Sequence, residues 1–176
     1  MIDDGLEHNR RISRRALADL HEGAFGWALS LTGYDAQAAE DVMQQAYLAL
    51  VDGSARFDGE ASLKTWLYAV IRNSARRHQR RHRQEARREA PMGDAEFVDD
   101  GQSAEADEPQ TRWPALRRAI TELPDRQRQV LELVIDAEFT VEEAARVMGV
   151  SVGSARTHYH RAKQTLRRQL ESSDES

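Results

Sequence analysis

The sequence predicts an all-α protein made of two small helical domains joined by a flexible acidic linker. Three observations carry this prediction. Apolar residues recur at three- and four-residue spacing in seven segments, and no alternation at two competes with them. Charged residues make up 31% of the 176-residue chain and aromatic residues only 6%, a balance that fits long polar helices better than sheet. One strip, "PMGDAEFVDDGQSAEADEPQ", mixes proline, glycine, serine and acids with no period at all. The expected boundaries are 11–90 for the first domain, 91–111 for the linker and 112–171 for the second.

The first helix places Leu17, Leu20, Ala24, Ala28 and Leu31 on one face. Gly33 ends it and Asp35 caps the next. That second helix turns Ala39, Val42, Met43, Ala46 and Leu50 inward and Gln37, Asp41, Gln44 and Leu48 outward. A leucine among polar side chains is either a lone exposed residue or part of a docking surface. Ser62 caps the third helix, whose predicted inner stripe is Leu63, Trp66, Leu67, Val70 and Ser74. Thr65, Tyr68, Arg72, Arg76 and Arg83 are expected to share an outward face. A ring beside guanidinium groups suits a nucleic-acid strand whose bases stack and whose phosphates need neutralising. For the arginines beyond residue 77, a solvated basic face or pairing with the acidic strip is an equal reading. The apolar stripe stops near residue 75, so the helix should project beyond its core.

Beyond the linker, a helix runs from about Trp113 to Glu122. Pro124 holds Leu123 out of helical geometry and starts the next, which buries Val130, Leu131 and Val134. "TVEE", Thr140 to Glu143, is a capping box that opens a short helix ending at Met148. Gly149 then turns the chain, and Ser151 caps the last helix. Val152, Ala155, Tyr159, Ala162 and Leu166 form its apolar face, with Ser154, Thr157, Arg161 and Gln164 opposite and His158 and His160 on the flanks. Small residues at Ala145, Gly149 and Ala155 suit a helix-turn-helix, whose second helix fits the major groove of DNA. Hydroxyl, amide and guanidinium groups on such a helix meet base edges.

Formal charge is −5, which sits oddly with DNA binding until its distribution is read. Arg72 to Arg88 carries eight arginines and one acid, whereas Asp94 to Glu108 carries seven acids and no base. Arg112 to Leu170 carries eleven bases and seven acids, so basic segments flank an acidic strip. The chain has no cysteine, which excludes disulfides and thiolate metal sites and suits a cytoplasmic location. "MIDDGLEHNRR" is not expected to act as a secretory signal, and no apolar run reaches the roughly 18 residues of a membrane span. His158 and His160 diverge on a helix, and His78 and His82 lie among arginines, so neither pair is expected to hold a metal. Without a cysteine nucleophile, glycine-rich phosphate loop or metal cluster, an enzyme is not expected, nor a cofactor or small-molecule substrate.

Both halves resemble a group IV, or extracytoplasmic-function (ECF), sigma factor of bacterial RNA polymerase. The first half is similar in "AEDVMQQAYLAL" and "RFDGEASLKTWLYAVIRNSARRHQRR", the second in "ALRRAITELPDRQRQVLELV" and "TVEEAARVMGVSVGSARTHYHRAKQTL". The resemblance implies sigma domain 2 followed by sigma domain 4. It implies that Asp41, Gln44, Gln45 and Leu48 dock on the β′ clamp helices of core polymerase, and that domain 4 meets the β flap. Phe57, Asp58 and Gly59 fall where the family captures a base flipped from the −10 element, and Tyr68, Arg72, Asn73, Arg76 and Arg77 fall on the helix that handles the opening strand. Ser154, Arg156, Thr157, His158 and Arg161 fall where it reads the −35 element. An anti-sigma factor or other regulator is implied as a further partner. The chain departs from the usual pattern at His158, where arginine is common, at Ala155, where valine or isoleucine is common, and in "VMQQAY", which is less acidic than the usual "LVQETF". The alternative reading is a stand-alone helix-turn-helix regulator.

Overall fold

The computed structural model describes residues 12–89 and 113–174, and every regular element among them is an α-helix. The expected linker, 91–111, lies outside these residues. The chain divides into two compact units, the first holding three helices and the second four.

In the first unit, α1 (Arg14–Leu31), α2 (Ala36–Val51) and α3 (Leu63–Glu89) pack against one another pairwise. Each starts on a side-chain cap, two of them, Asp35 and Ser62, as the sequence predicts. Ser13 accepts from the Arg15 amide, Asp35 from Ala38 at 3.0 Å and Ser62 from Thr65 at 3.1 Å. α1 ends where the Thr32 amide bonds back to Ala28 and Leu29, and Gly33 and Tyr34 both take left-handed geometry. Small residues form part of the core: Ala24, Ala28, Ala39 and Ala46 are all 0% exposed. Val42, Leu67 and Ile71 complete the core with no exposed surface. The Trp27 indole donates to the Tyr68 carbonyl at 3.2 Å, and the two rings stack.

The predicted faces of α3 need correction. Thr65, Tyr68 and Arg72 were expected to point outward, yet all three are buried. Trp66, expected in the core, is only half-buried. The reason is that α3 is gripped by both α1 and α2, so its buried sector is far wider than one stripe. Tyr68 fits because residue 23 is glycine: a Cβ there would stand 2.8 Å from the Tyr68 hydroxyl. Beyond Ala75 burial falls away. Gln79 makes a late tie to the body, donating to the Leu31 carbonyl at 2.9 Å, and residues 80–88 are exposed on all sides.

In the second unit, α4 (Trp113–Thr121), α5 (Asp125–Ile135) and α6 (Val141–Met148) surround α7 (Val152–Asp174). Leu123, Leu131 and Ala162 form one core, closed by Ile120, Tyr159 and Leu166. Arg128 joins α4 to α5, donating to the Thr121 carbonyl and pairing with Asp125 at 3.0 Å. The capping box forms as read: Glu143 returns a carboxylate to the Thr140 amide at 2.9 Å. Gly149 takes φ 62° between α6 and α7. Val152, expected on the apolar face, stands partly exposed at the first turn of α7.

Candidate DNA-reading and docking surfaces

The helix-turn-helix is built as α6, the Gly149 turn and α7. Ala145 and Ala155, at 1% and 0% exposure, let the two helices approach closely. Their packing leaves Ser154, Arg156, Thr157 and Arg161 exposed together, with His158 half-buried beside them. Local bonds engage three hydroxyls. Ser151 and Ser154 share a 2.9 Å bond at the cap, and Thr157 donates to the Gly153 carbonyl one turn back. Arg156 is held by a residue with no sequence-predicted role here: its guanidinium meets the Glu142 carboxylate on α6 at 2.7 Å. That hydrogen bond holds the Glu142 carboxyl below its ordinary pKa. Fourteen residues separate the pair, so helical spacing gave no sign of it.

In the first unit, the loop from Asp52 to Ser62 is shaped by its own side chains. Asp52 accepts from the Ser54 amide at 2.8 Å, which pulls its carboxyl pKa down, and Asp58 accepts from the Glu60 amide at 3.0 Å. Gly59 takes φ 82°, a geometry that favours glycine. Phe57 tilts against Trp66 with ring centroids 5.3 Å apart, and the Trp66 indole donates to the Arg56 carbonyl at 3.0 Å. Trp66 therefore anchors the loop rather than the core. Asn73, Arg76 and Arg77 are exposed further along α3. Trp66, Asn73 and Arg77 recur at i, i+7 and i+11, which places them on one side of the helix. Tyr68 and Arg72 are not brought to this surface.

The third surface lies between α1 and α2. Gln44 and the 56%-exposed Leu48 line a groove of about 540 Å³ together with Phe25, Met43, Tyr47 and Val51. His21 Nδ1 and Tyr47 Oη stand 2.9 Å apart across its rim. Asp41 and Gln45 are half-buried on α2 and do not line it. Leu48 is legible in the sequence and the α1 wall is not, because only folding brings Phe25 to Tyr47. Among the described residues no three His, Cys, Asp or Glu side chains gather as a metal site, and no helix is long and apolar enough to cross a membrane.

Comparison with known proteins gives these surfaces a context. Residues 17–85 match Sigma-70 region 2 and residues 114–166 match Sigma-70, region 4. The RNA polymerase sigma-H factor of Pseudomonas aeruginosa is 30% identical over 152 residues, covering 78% of this chain and 76% of that one. The ECF RNA polymerase sigma factor EcfG of Rhodopseudomonas palustris is 29% identical over 140 residues, covering 80% and 75%. The sigma factor RpoE, solved in complex with the anti-sigma factor NepR from Bartonella quintana, aligns over 90% of this chain and 96% of its own at TM-score 0.71. At 23% identity that likeness shows the shared fold. The chain belongs to the sigma-70 family of RNA polymerase sigma factors. Within that family it is an ECF sigma factor, and its function is transcription initiation.

Proposed function

We propose that this sigma factor works through three surfaces. The α1–α2 groove, with Leu48 as its apolar anchor and Asp41, Gln44 and Gln45 around it, docks on the clamp helices of the β′ subunit. The loop carrying Phe57, Asp58 and Gly59, with Asn73, Arg76 and Arg77, takes the −10 element as its strands part. The exposed face of α7, with Ser154, Arg156, Thr157, His158 and Arg161, reads the −35 element, and the second unit also meets the β flap. Tyr68 and Arg72 support the second surface from beneath rather than touching DNA.

The observation that carries this reading is the outward side of α3. The Phe57–Trp66 pair stands at its start, and Asn73 and Arg77 follow on the same side, so an aromatic edge leads directly into cationic side chains. A strand laid there has a ring to stack on and charge for its phosphates. Flipping a base costs a few kcal/mol. Stacking and capture offset this by roughly 1–3 kcal/mol per base. No catalytic step by this chain enters the mechanism, and the working location is the cytoplasm. An anti-sigma factor is a further proposed partner, since RpoE was solved with NepR and CnrH with the cytosolic domain of CnrY. A stand-alone regulator is disfavoured because it leaves the region 2 match without a role. The test is transcription from random promoter fragments by core polymerase with the purified chain. Enrichment of paired −10 and −35 sequences is expected, and none appearing would overturn the reading.

A further inference from the structure

His21 has no task in the scheme above, yet it links the two walls of the docking groove. It stands one turn before Phe25 on α1, and Tyr47 faces both from α2. The three rings form an offset stack with His21 in the middle. Its centroid lies 6.4 Å from that of Phe25 and 6.1 Å from that of Tyr47, and each neighbour is tilted only 20° from its plane. His21 Nδ1 and Tyr47 Oη, 2.9 Å apart, also share a hydrogen bond.

Burial raises the Tyr47 pKa above its ordinary 10.0, so the phenol keeps its proton at neutral pH. A neutral imidazole either accepts that proton at Nδ1 or donates its own to the phenol oxygen. In both cases the bond and the stack fix the Tyr47 ring beside Leu48 and Val51, which are 56% and 48% exposed. The usual "LVQETF" ends in phenylalanine, which has no hydroxyl to offer, so the bond arises where "VMQQAY" departs from it. The bond is not what closes the core: His21 is exposed, whereas Val42, Leu67 and Ile71 are fully buried without it.

We propose that His21 is a positioning residue for polymerase docking: it holds Tyr47 and Phe25 as a preset aromatic wall against which an apolar side chain of the partner helix packs. The inference rests on the assignment of the groove to the β′ clamp helices. Two features favour this role over a tie within the fold alone. Both bonded side chains line the groove, and their bond sits at its exposed rim rather than in the core. The surface between this wall and Leu48 is apolar, formed by Phe25, Met43 and Val51, so the orientation of the Tyr47 ring sets how wide the groove stands. A side chain already in place need not be ordered as the partner arrives. Ordering it at that moment would weaken association by about two- to tenfold.

The test measures the equilibrium affinity of the full chain for core polymerase, with circular dichroism confirming that each variant is fully helical at the assay temperature. Tyr47→Phe keeps the ring and removes the hydroxyl, and His21→Ala removes the other partner. Each is expected to bind about two- to tenfold more weakly. The double variant should bind no more weakly than His21→Ala alone, because both changes remove the same bond. His21→Asn, whose amide reaches the place of Nδ1, should bind more tightly than His21→Ala. Wild-type affinity in either single variant would overturn the proposal. So would losses that add in the double variant, which would make the two side chains independent contacts, or His21→Asn binding no better than His21→Ala. Failure of the docking assignment is read separately, as Leu48→Arg binding core polymerase like wild type. If Leu48→Arg loses binding while Tyr47→Phe and His21→Ala do not, the role of His21 alone is refuted.

Discussion

Tyr68 shows how one missing methyl group decides where a ring goes. Without a Cβ at Gly23, its hydroxyl slides beneath α1 and the ring stacks on Trp27. Burial raises the Tyr68 pKa above its ordinary 10.0. A phenol whose pKa is raised by folding stabilises the folded state fully below its unfolded value, and that contribution is lost as pH climbs through the folded value. Wild-type protein should therefore lose stability above pH 10, and Tyr68→Phe, which keeps the ring, should lose less; denaturant midpoints from pH 8 to 11 measure the difference. Glu142 makes a comparable argument for specificity. Its carboxylate fixes the Arg156 guanidinium at the head of α7, so Glu142→Gln should change base preference at one −35 position without altering helix content. Binding to a set of single-base −35 variants checks this, and an unchanged profile would make the pair ornamental to readout. Because hydrogen bonding from Arg156 lowers the Glu142 pKa, the pair holds at neutral pH and releases as pH falls through the acid range.

At the scale of elements, the caps and turns were the most legible part of the sequence. Asp35, Ser62, Thr140 and Gly149 each do what their residue type predicts, because a cap is a local event between near neighbours. What escaped was long-range. Trp66 reads as core by periodicity, yet its partners are Phe57 and the Arg56 carbonyl in a loop that has no period. Thr65, Tyr68 and Arg72 read as surface because their polar atoms mislead when two helices clasp the same segment. The α1 wall of the docking groove was illegible for the same reason. Two turns defied the residue rules: Tyr34, after α1, sits at φ 67°, and Glu138, between α5 and α6, at φ 54°. Left-handed geometry costs an ordinary residue about 1–2 kcal/mol, part of which glycine returns through its greater freedom when unfolded, so Glu138→Gly should stabilise the second unit by about 0.5–1 kcal/mol in chemical denaturation. The groove carries its own test. Leu48→Arg should weaken binding to core polymerase by about 2 kcal/mol or more while circular dichroism stays unchanged, since the side chain is more than half exposed already. Co-elution with polymerase at wild-type affinity would remove the groove from the docking surface.

For the whole molecule, two compact units with separate cores imply two separable stabilities. Ala28→Leu introduces three heavy atoms into a site with no exposed surface and should cost about 1–3 kcal/mol. It should lower the thermal transition of the first unit alone and leave that of the second in place. A single transition moving as one would show the units to be energetically fused. The four buried alanines of α1 and α2 have a wider consequence for how this chain tolerates change. In a core of large side chains, truncation is the common injury, because it opens a void. Here Ala24, Ala28, Ala39 and Ala46 have almost nothing to truncate, and enlargement is the injury. The first unit should therefore accept glycine or serine at these four positions more readily than valine or leucine. Lineages drifting from this sequence would be held at these positions by a ceiling on side-chain volume rather than by a demand for hydrophobicity.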